Sequence, residues 1–418
     1  MVADAAGGVL LAVGSHIGEQ LVALGGAFLA AGLLARAGRR IGLPTIPLFI
    51  IAGILFGPDT PGLVLVEEPD TLALMASLGL ILLLFHLGLE FSLGDLLNGG
   101  GRLIAAGTVY LALNVGGGLA FGFLLGWGTA EALVIAGAVG ISSSAIVTKL
   151  LTELRRLPNP ETRLILGIIV VEDIFLALYL AALTPFLDPT ADGLDALLLF
   201  VRAFAFLLAL FAVARFGARW VSRVLDTPDT ELLVVLFLGL AVIVAGTAEQ
   251  LGVADAIGAF MAGLIVAETT VSERVERLVL PIRDAFAAVF FFWFGLTISP
   301  AGLASVALPV LAAVTLSLTL NPLAGIVTAR MSRLGRVAAA NIGTTVLARG
   351  EFSIILATLA ATAGLDERIT PFVGLYVLIL AITSPILASH SRRLAGLLPS
   401  RWFPPPGDQP PPRPQIST

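Results

Sequence analysis

The sequence predicts an all-α membrane protein with about thirteen transmembrane helices arranged as two inverted repeats. Of its 418 residues, 57% are hydrophobic and only 13% are charged, whereas a soluble domain carries about a quarter charged residues. The mean hydropathy is +1.00, and apolar stretches of about 20 residues, each long enough to cross a bilayer, recur along the chain. The third observation is a set of glycine motifs repeated at a nearly constant interval. Because the chain has no cysteine, disulfides and thiolate metal sites are excluded.

The apolar stretches mark the predicted spans in chain order. They lie near residues 12–35, 43–58, 70–92, 102–126, 130–151, 162–186, 194–222, 230–248, 253–269, 280–298, 302–328, 336–363 and 369–389.

Basic residues fall in alternate connections between these spans. Arg155 and Arg156 follow the fifth span, and Arg392 and Arg393 follow the last, whereas the connections between are acidic or neutral. Because short cytoplasmic loops carry an excess of Lys and Arg, the N-terminus is predicted outside and the C-terminus in the cytoplasm. We expect a multi-pass protein of the cell (inner) membrane.

Glycine motifs in the two halves align with each other. Gly53 aligns with Gly263 at an offset of 210 residues, and Gly88 aligns with Gly295 at an offset of 207. The offset covers seven spans. Because this number is odd, the two copies must lie in opposite orientations in the membrane, and such inverted repeats are typical of secondary transporters. The predicted domains are a first repeat over 1–192, a linker helix over 193–224, a second repeat over 225–391 and a disordered, proline-rich cytoplasmic tail over 392–418.

Two spans in corresponding positions of the repeats contain polar interruptions. The fifth span is interrupted by Ser142, Ser143 and Ser144, and the twelfth by Arg349, Gly350 and Glu351. Serine hydroxyls compete with regular helix by bonding to the backbone, although three serines can also simply pack a close helix contact. Paired interruptions predict two crossing discontinuous helices with a transport site between them.

Glu172 and Asp173 lie side by side in an otherwise aliphatic span, where carboxylates are costly to bury. Asp173 follows Arg163 by ten residues, or about 15 Å of helix, which is half the thickness of the hydrocarbon core. We therefore expect it to bind the transported ion. Arg349 is too deep to reach water, so Glu172 or Glu351 is its expected partner.

Four further polar residues are weaker candidates. Thr344 and Thr345 are candidates for lining the site. His86 can act as a gate or pH sensor, or it can hydrogen-bond across a helix contact. Lys149, the only lysine, can anchor its span or line an access funnel.

The strings GISSSAIVTKLL, VVEDI, FWFGLTIS and ARGEFSIIL, in this order, resemble the Kef-type branch of monovalent cation:proton antiporters. The resemblance implies that Asp173 is the transport carboxylate, with Glu172 as its neighbour, and that K⁺ is preferred over Na⁺. It also implies a homodimer in which spans four to six and eleven to thirteen move against a scaffold. The family's cytoplasmic nucleotide-binding domain has no counterpart after the last span, so we expect any regulatory subunit to be separate.

The expected function is electroneutral antiport of a monovalent cation against protons, without enzymatic activity, a cofactor or nucleic acid. A proton and a dehydrated cation compete for Asp173, and hydroxyls of the three serines help the cation. Na⁺/H⁺ exchange is the alternative within the same class. A gated cation channel and an ion-coupled symporter for an organic anion are the alternatives from other classes.

Overall fold

The computed structural model is built of helices. It describes residues 2–40, 45–60, 64–90, 101–187, 201–202, 205–206, 208–210, 212–251 and 255–404. Its main helices in the first half are α1 (Val2–Arg39), α2 (Thr45–Phe56), α3 (Ala73–Glu90), α4 (Gly101–Leu125), α5 (Thr129–Gly140), α6 (Ser144–Glu153) and α7 (Thr162–Leu187). In the second half they are α8 (Ala218–Leu225), α9 (Thr230–Gln250), α10 (Asp255–Ala267), α11 (Ser272–Leu296), α12 (Pro300–Met331), α13 (Arg336–Thr345), α14 (Glu351–Thr362), α15 (Ile369–Ser389) and α16 (Ser391–Ala395).

Six helices within the described ranges are long and apolar enough to cross a membrane. These six coincide with predicted spans, and four shorter apolar helices (α2, α5, α10 and α14) coincide with others. The all-helical membrane fold is therefore confirmed, whereas the total of thirteen spans stays a prediction. Much of the predicted linker span, the domain boundary at 192/193 and residues 405–418 of the predicted tail lie outside the described residues. The first part of that tail, which the sequence predicts to be disordered, contains α16 (Ser391–Ala395) and a short 3-10 helix (Ser400–Trp402).

The helices pack in two groups. In the first, α3 packs against α10 and α11, α2 packs against α1 and α11, and α9 packs against α10. In the second, α4 packs against α5, α7 and α12, while α15 packs against α12, α13 and α14. We call α1–α3 with α9–α11 the scaffold group, and α4–α7 with α12–α15 the core group.

Two glycine pairs let helices of the scaffold group cross at backbone distance. A Cβ added to Gly53 of α2 would lie 2.8 Å from the Cα of Gly295 on α11, and one added to Gly88 of α3 would lie 3.0 Å from the Cα of Gly263 on α10. Small residues permit such close approach in membranes. These four glycines are the ones that align between the two repeats. Because Gly53 aligns with Gly263 and Gly295 aligns with Gly88, the two contacts are equivalent under the repeat.

Two predicted spans are each divided into two helices. The first is helical as α5 to Gly140 and resumes as α6 at Ser144, with Ile141 in an extended conformation. The second is helical as α13 to Thr345 and resumes as α14 at Glu351. We call residues 141–143 the first break and residues 346–350 the second break. Both occur at the polar interruptions of the sequence.

Candidate ion-binding site

The two breaks lie directly against each other. The backbone N–H of Ser143 in the first break donates to the carbonyl of Ala348 in the second at 2.9 Å. A Cβ added to Gly350 would lie 2.7 Å from Ser143 Oγ and 2.9 Å from Ser143 Cβ. Only a residue without a side chain lets the two backbones approach this closely. The crossing of two interrupted helices thus brings polar backbone from distant parts of the chain together inside the core group.

The three serines orient two buried glutamates. The N–H of Ser142 donates to Glu172 Oε1 at 2.9 Å, and its hydroxyl donates to Glu172 Oε2. The hydroxyl of Ser143 donates to Glu351 Oε2, and that of Ser144 to Glu351 Oε1 at 3.3 Å. Glu172 and Glu351 are each only 1% exposed. The serines are therefore hydrogen-bond donors to both carboxylates and do more than fill a helix contact.

Arg349 is fully buried, at 0% exposure, and its guanidinium bonds to backbone carbonyls. Its Nε donates to Val139 at 2.8 Å, while its Nη1 lies 2.9, 3.2 and 3.3 Å from the carbonyl oxygens of Val346, Leu347 and Ala348. Sequence reasoning expected an acidic partner. Glu172 interacts with this guanidinium through its charge, but the direct contacts are with carbonyls at the ends of broken helices.

The charges match the ends of the helices that meet here. Val139 is in the last turn of α5 and Val346 follows α13, so Arg349 lies where helix C-termini carry partial negative charge. Glu351 begins α14 and bonds to Ser143 and Ser144 at the start of α6, where helix N-termini carry partial positive charge. One cation and one anion thus stabilise four helix ends that lack their regular hydrogen bonds.

Two buried tyrosines belong to the same cluster, and sequence reasoning missed them. The Tyr110 hydroxyl lies 2.5 Å from Asn321 Oδ1 and 3.0 Å from the Val346 carbonyl. The Tyr376 hydroxyl lies 2.6 Å from Ser317 Oγ. Both tyrosines interact electrostatically with Arg349. The sequence provides little signal for them, because all three tyrosines of the chain lie inside predicted spans.

Asp173 is buried beside Glu172 on α7, with 6% of its surface exposed. Neighbouring residues on a helix point about 100° apart, so the two carboxylates face different directions. Glu172 faces the first break, where it accepts the N–H and the hydroxyl of Ser142. The acidic pair therefore divides into one carboxylate held by the break and one beside it.

The remaining candidates differ in how close they lie to the crossing. Thr344 and Thr345 form the last turn of α13 before the second break, and Thr345 Oγ1 is buried without a hydrogen-bond partner in the described part of the chain. His86 lies instead on α3, where its Nδ1 is 2.9 Å from Nη1 of Arg283 on α11, which fits a hydrogen bond across a helix contact. Lys149 is in α6, but its side chain lies outside the described residues.

Known proteins share the sequence pattern of this chain, and the match identifies its family. The chain matches the family described as sodium/hydrogen exchanger, transmembrane, over residues 25–389. It belongs to that family. The K(+)/H(+) antiporter subunit KhtU of Bacillus subtilis (strain 168) is 40% identical over 390 residues, which cover 91% of this exchanger and 96% of KhtU. The Na(+)/H(+)-K(+) antiporter GerN of Bacillus cereus is 28% identical over 83% of this chain and 90% of GerN.

A solved structure shares the fold of the exchanger. The sodium proton antiporter MjNhaP1 from Methanocaldococcus jannaschii superposes with a TM-score of 0.68, covering 90% of this chain and 98% of that one at 16% identity. These findings confirm the predicted resemblance to cation:proton antiporters. The relatives are transporters and not enzymes. The exchanger is accordingly a multi-pass membrane protein of the antiporter type.

Proposed function

We propose that the protein exchanges a monovalent cation, preferably K⁺, for protons by alternating access of the core group. The observation that carries this proposal is the crossing of the two breaks, which gathers Ser142, Glu172, Arg349 and Glu351 beside the buried Asp173. Polar groups of this kind inside an apolar bundle mark ion and proton pathways. The preference for K⁺ is supported by the Kef-type motifs and by the 40% identity to KhtU, which is named a K(+)/H(+) antiporter subunit.

Asp173 is the carboxylate shared by the cation and the proton. Burial disfavours the charged form of a carboxylate, so the site is neutralised by one ligand or the other before the core group moves. An empty, charged site resists the movement because it would carry an uncompensated charge through an apolar environment. This competition couples the flux of the cation to the opposite flux of the proton.

The serines can assist the cation without leaving the glutamates. A serine hydroxyl that donates its proton to a carboxylate keeps oxygen lone pairs for a cation. Ser142 donates to Glu172 and Ser143 to Glu351, so both oxygens are held in fixed orientations. Hydroxyl and carbonyl oxygens near Asp173 would then replace part of the hydration shell of the ion.

The architecture that we propose contains thirteen spans in two inverted repeats over 1–192 and 225–391, joined by a linker helix. The reciprocal pairs Gly53–Gly295 and Gly88–Gly263 support this symmetry. We further propose an inner-membrane homodimer with the N-terminus outside and the C-terminus in the cytoplasm. A separate cytoplasmic regulatory subunit is supported by the relative KhtU, which is named an antiporter subunit.

Na⁺/H⁺ exchange is the second candidate. The relative GerN is named a Na(+)/H(+)-K(+) antiporter. A carboxylate can bind either of these cations. Selectivity depends on how well the oxygens around Asp173 replace the hydration shell of each ion.

Proton movement in proteoliposomes tests the proposal. Vesicles with the purified protein and an internal pH indicator receive K⁺, Na⁺ or Li⁺ outside, in the absence of any other ion gradient. We expect a saturable alkalinisation of the lumen, largest with K⁺, as protons leave against the entering cation. A cation current without coupled proton flux would instead identify a channel, and flux that requires an organic anion would identify a symporter.

A further inference from the structure

A cavity with a strongly positive lining lies at one end of the core group. Its volume is about 670 Å³, within the range of small-molecule sites. It is enclosed by the loop between α6 and α7, the start of α13 and the segment after α15. Four arginines are among the residues that line it, namely Arg155, Arg156, Arg336 and Arg392.

The only carboxylate among the described lining residues already accepts hydrogen bonds from neighbouring side chains. Glu161 is the one acidic residue among the described lining residues. Its Oε1 accepts from Asn159 at 3.0 Å and also from Asn341. Four positive charges therefore face one carboxylate that is buried and hydrogen-bonded, and like charges this close together repel each other.

Arg156 lines this cavity, and its guanidinium is held in place by two hydrogen bonds. Its Nη2 donates to the Ala388 carbonyl at 2.6 Å and to Ser391 Oγ at 2.9 Å, which fixes the guanidinium. Its Nη1 is buried and has no hydrogen-bond partner among the residues that the structure describes. Burial lowers the pKa of Arg156, Glu161 opposes that shift, and Arg392 adds to it. A bound anion would relieve the repulsion among the arginines that line the cavity.

The first turn of α13 adds backbone donors on the same side. Gly335, Arg336, Val337 and Ala338 all line the cavity. Gly335 is the residue before the helix, and no side chain caps this helix start. The N–H groups at a helix N-terminus have no partner within the helix and attract anions. The arginines and the start of α13 are two separate features, and both favour a negatively charged ligand.

We propose that this cavity binds a phosphate-bearing anion. Arginine forks bind phosphate oxygens in pairs, and uncapped helix starts bind phosphate through backbone N–H groups. The bound group would link two parts of the core group, the α6–α7 loop and α13, to the segment that follows α15. Its source is a soluble phosphate compound or the headgroup of an anionic lipid, since the shared chemistry is the phosphate.

Thermal unfolding of the purified full-length protein tests the site without reference to transport. Sodium pyrophosphate is titrated in neutral detergent against sodium chloride at equal ionic strength, and phosphatidylglycerol is compared with phosphatidylcholine in mixed micelles. The variant is Arg336→Gln with Arg392→Gln, whose side chains are exposed. The matched control is Arg277→Gln, an exposed arginine on α11 that bonds to the Glu273 carbonyl of its own helix.

We expect one phosphate source to raise the melting temperature of the wild type and of Arg277→Gln. The double variant should need at least about tenfold more of that source for the same rise, equal to about 1.4 kcal/mol of binding. A response to pyrophosphate alone assigns a soluble ligand, and a response to phosphatidylglycerol alone assigns a lipid headgroup. The proposal is overturned if neither exceeds its control or if the double variant responds like the wild type. Because Arg392→Gln alone leaves Arg336 unchanged, it provides the same comparison if the double variant does not fold.

Discussion

The side chain of Arg349 in the second break donates from Nε to the backbone carbonyl of Val139 at 2.8 Å, 210 residues earlier in the chain. The same guanidinium also reaches the carbonyls of its own break. A single cation therefore fastens the end of α5 to the residues after α13. This contact makes the geometry of the crossing depend on one side chain.

Replacement of Arg349 should strongly destabilise the protein. Arg349→Ala leaves several buried carbonyls without donors and Glu172 without a nearby positive charge. Loss of one member of a buried charged interaction typically costs about 3–5 kcal/mol. Arg349→Lys keeps the charge but loses the planar fork that reaches both the end of α5 and the second break, so it should restore only part of the stability. Thermal unfolding in detergent measures both effects.

Arg368→Ala is the matched control for the arginine. Arg368 pairs with Asp366 in the loop before α15 and lies over the Trp127 ring at 4.6 Å, and ion pairs and cation–π contacts at the surface contribute about 1 kcal/mol or less to stability. We expect its melting temperature to stay close to that of the wild type. If Arg349→Ala unfolds at the same temperature as Arg368→Ala, the guanidinium does not hold the crossing together.

Asp173→Asn should reduce exchange in proteoliposomes to the level of empty vesicles. The amide cannot release a proton or neutralise a cation, while its size and burial remain close to those of the aspartate. The control is Asp366→Asn, which removes a carboxylate from a solvent-facing loop and should leave exchange unchanged. Retention of half the wild-type rate by a folded Asp173→Asn protein would remove this residue from the mechanism.

The positions of the breaks could be predicted from the sequence because polar residues interrupted two otherwise apolar spans. The depth of Arg349 also predicted a buried counterpart for its charge. What the sequence could not specify was the kind of counterpart. Every residue has a backbone carbonyl, so the sequence does not indicate which one is an acceptor. The hydrogen bond from Arg349 to Val139 is therefore found only in the three-dimensional structure.

The partners of the serines were partly predictable in the same way. Their place at the crossing of the two breaks followed from the repeat, but the choice between Asp173 and Glu172 depends on the rotation of α7. A one-residue difference corresponds to about 100° around a helix. The structure resolves this by the bond of Ser142 to Glu172. Tyr110 and Tyr376 were missed because a tyrosine in an apolar span is usually an ordinary core residue.

Gly350→Ala should disturb the crossing while leaving the helices themselves intact. The added methyl group would lie 2.7 Å from Ser143 Oγ, so the two breaks must shift relative to each other or the Ser143 side chain must change its position. Overpacking of this kind typically costs about 1–3 kcal/mol, and we expect a lower melting temperature together with slower exchange.

Gly246→Ala on α9 is the matched control, because a Cβ there meets no atom within 4 Å. Alanine also favours helix over glycine by about 1 kcal/mol, so this variant should be neutral or slightly more stable. Equal behaviour of the two glycine variants would show that the close approach at Gly350 is dispensable.

Exchange should carry no net charge across the membrane. In the proposed cycle Asp173 binds one cation in one direction and one proton in the other, while Glu172 stays hydrogen-bonded to Ser142 and does not exchange its proton. A potential of about 100 mV is worth about 2.3 kcal/mol for each net charge moved. The cation and pH gradients at which net flux vanishes are measured in proteoliposomes with and without this potential. We expect the same null point in both, and a displacement by the full amount for one charge would mean that a second carboxylate also exchanges its proton.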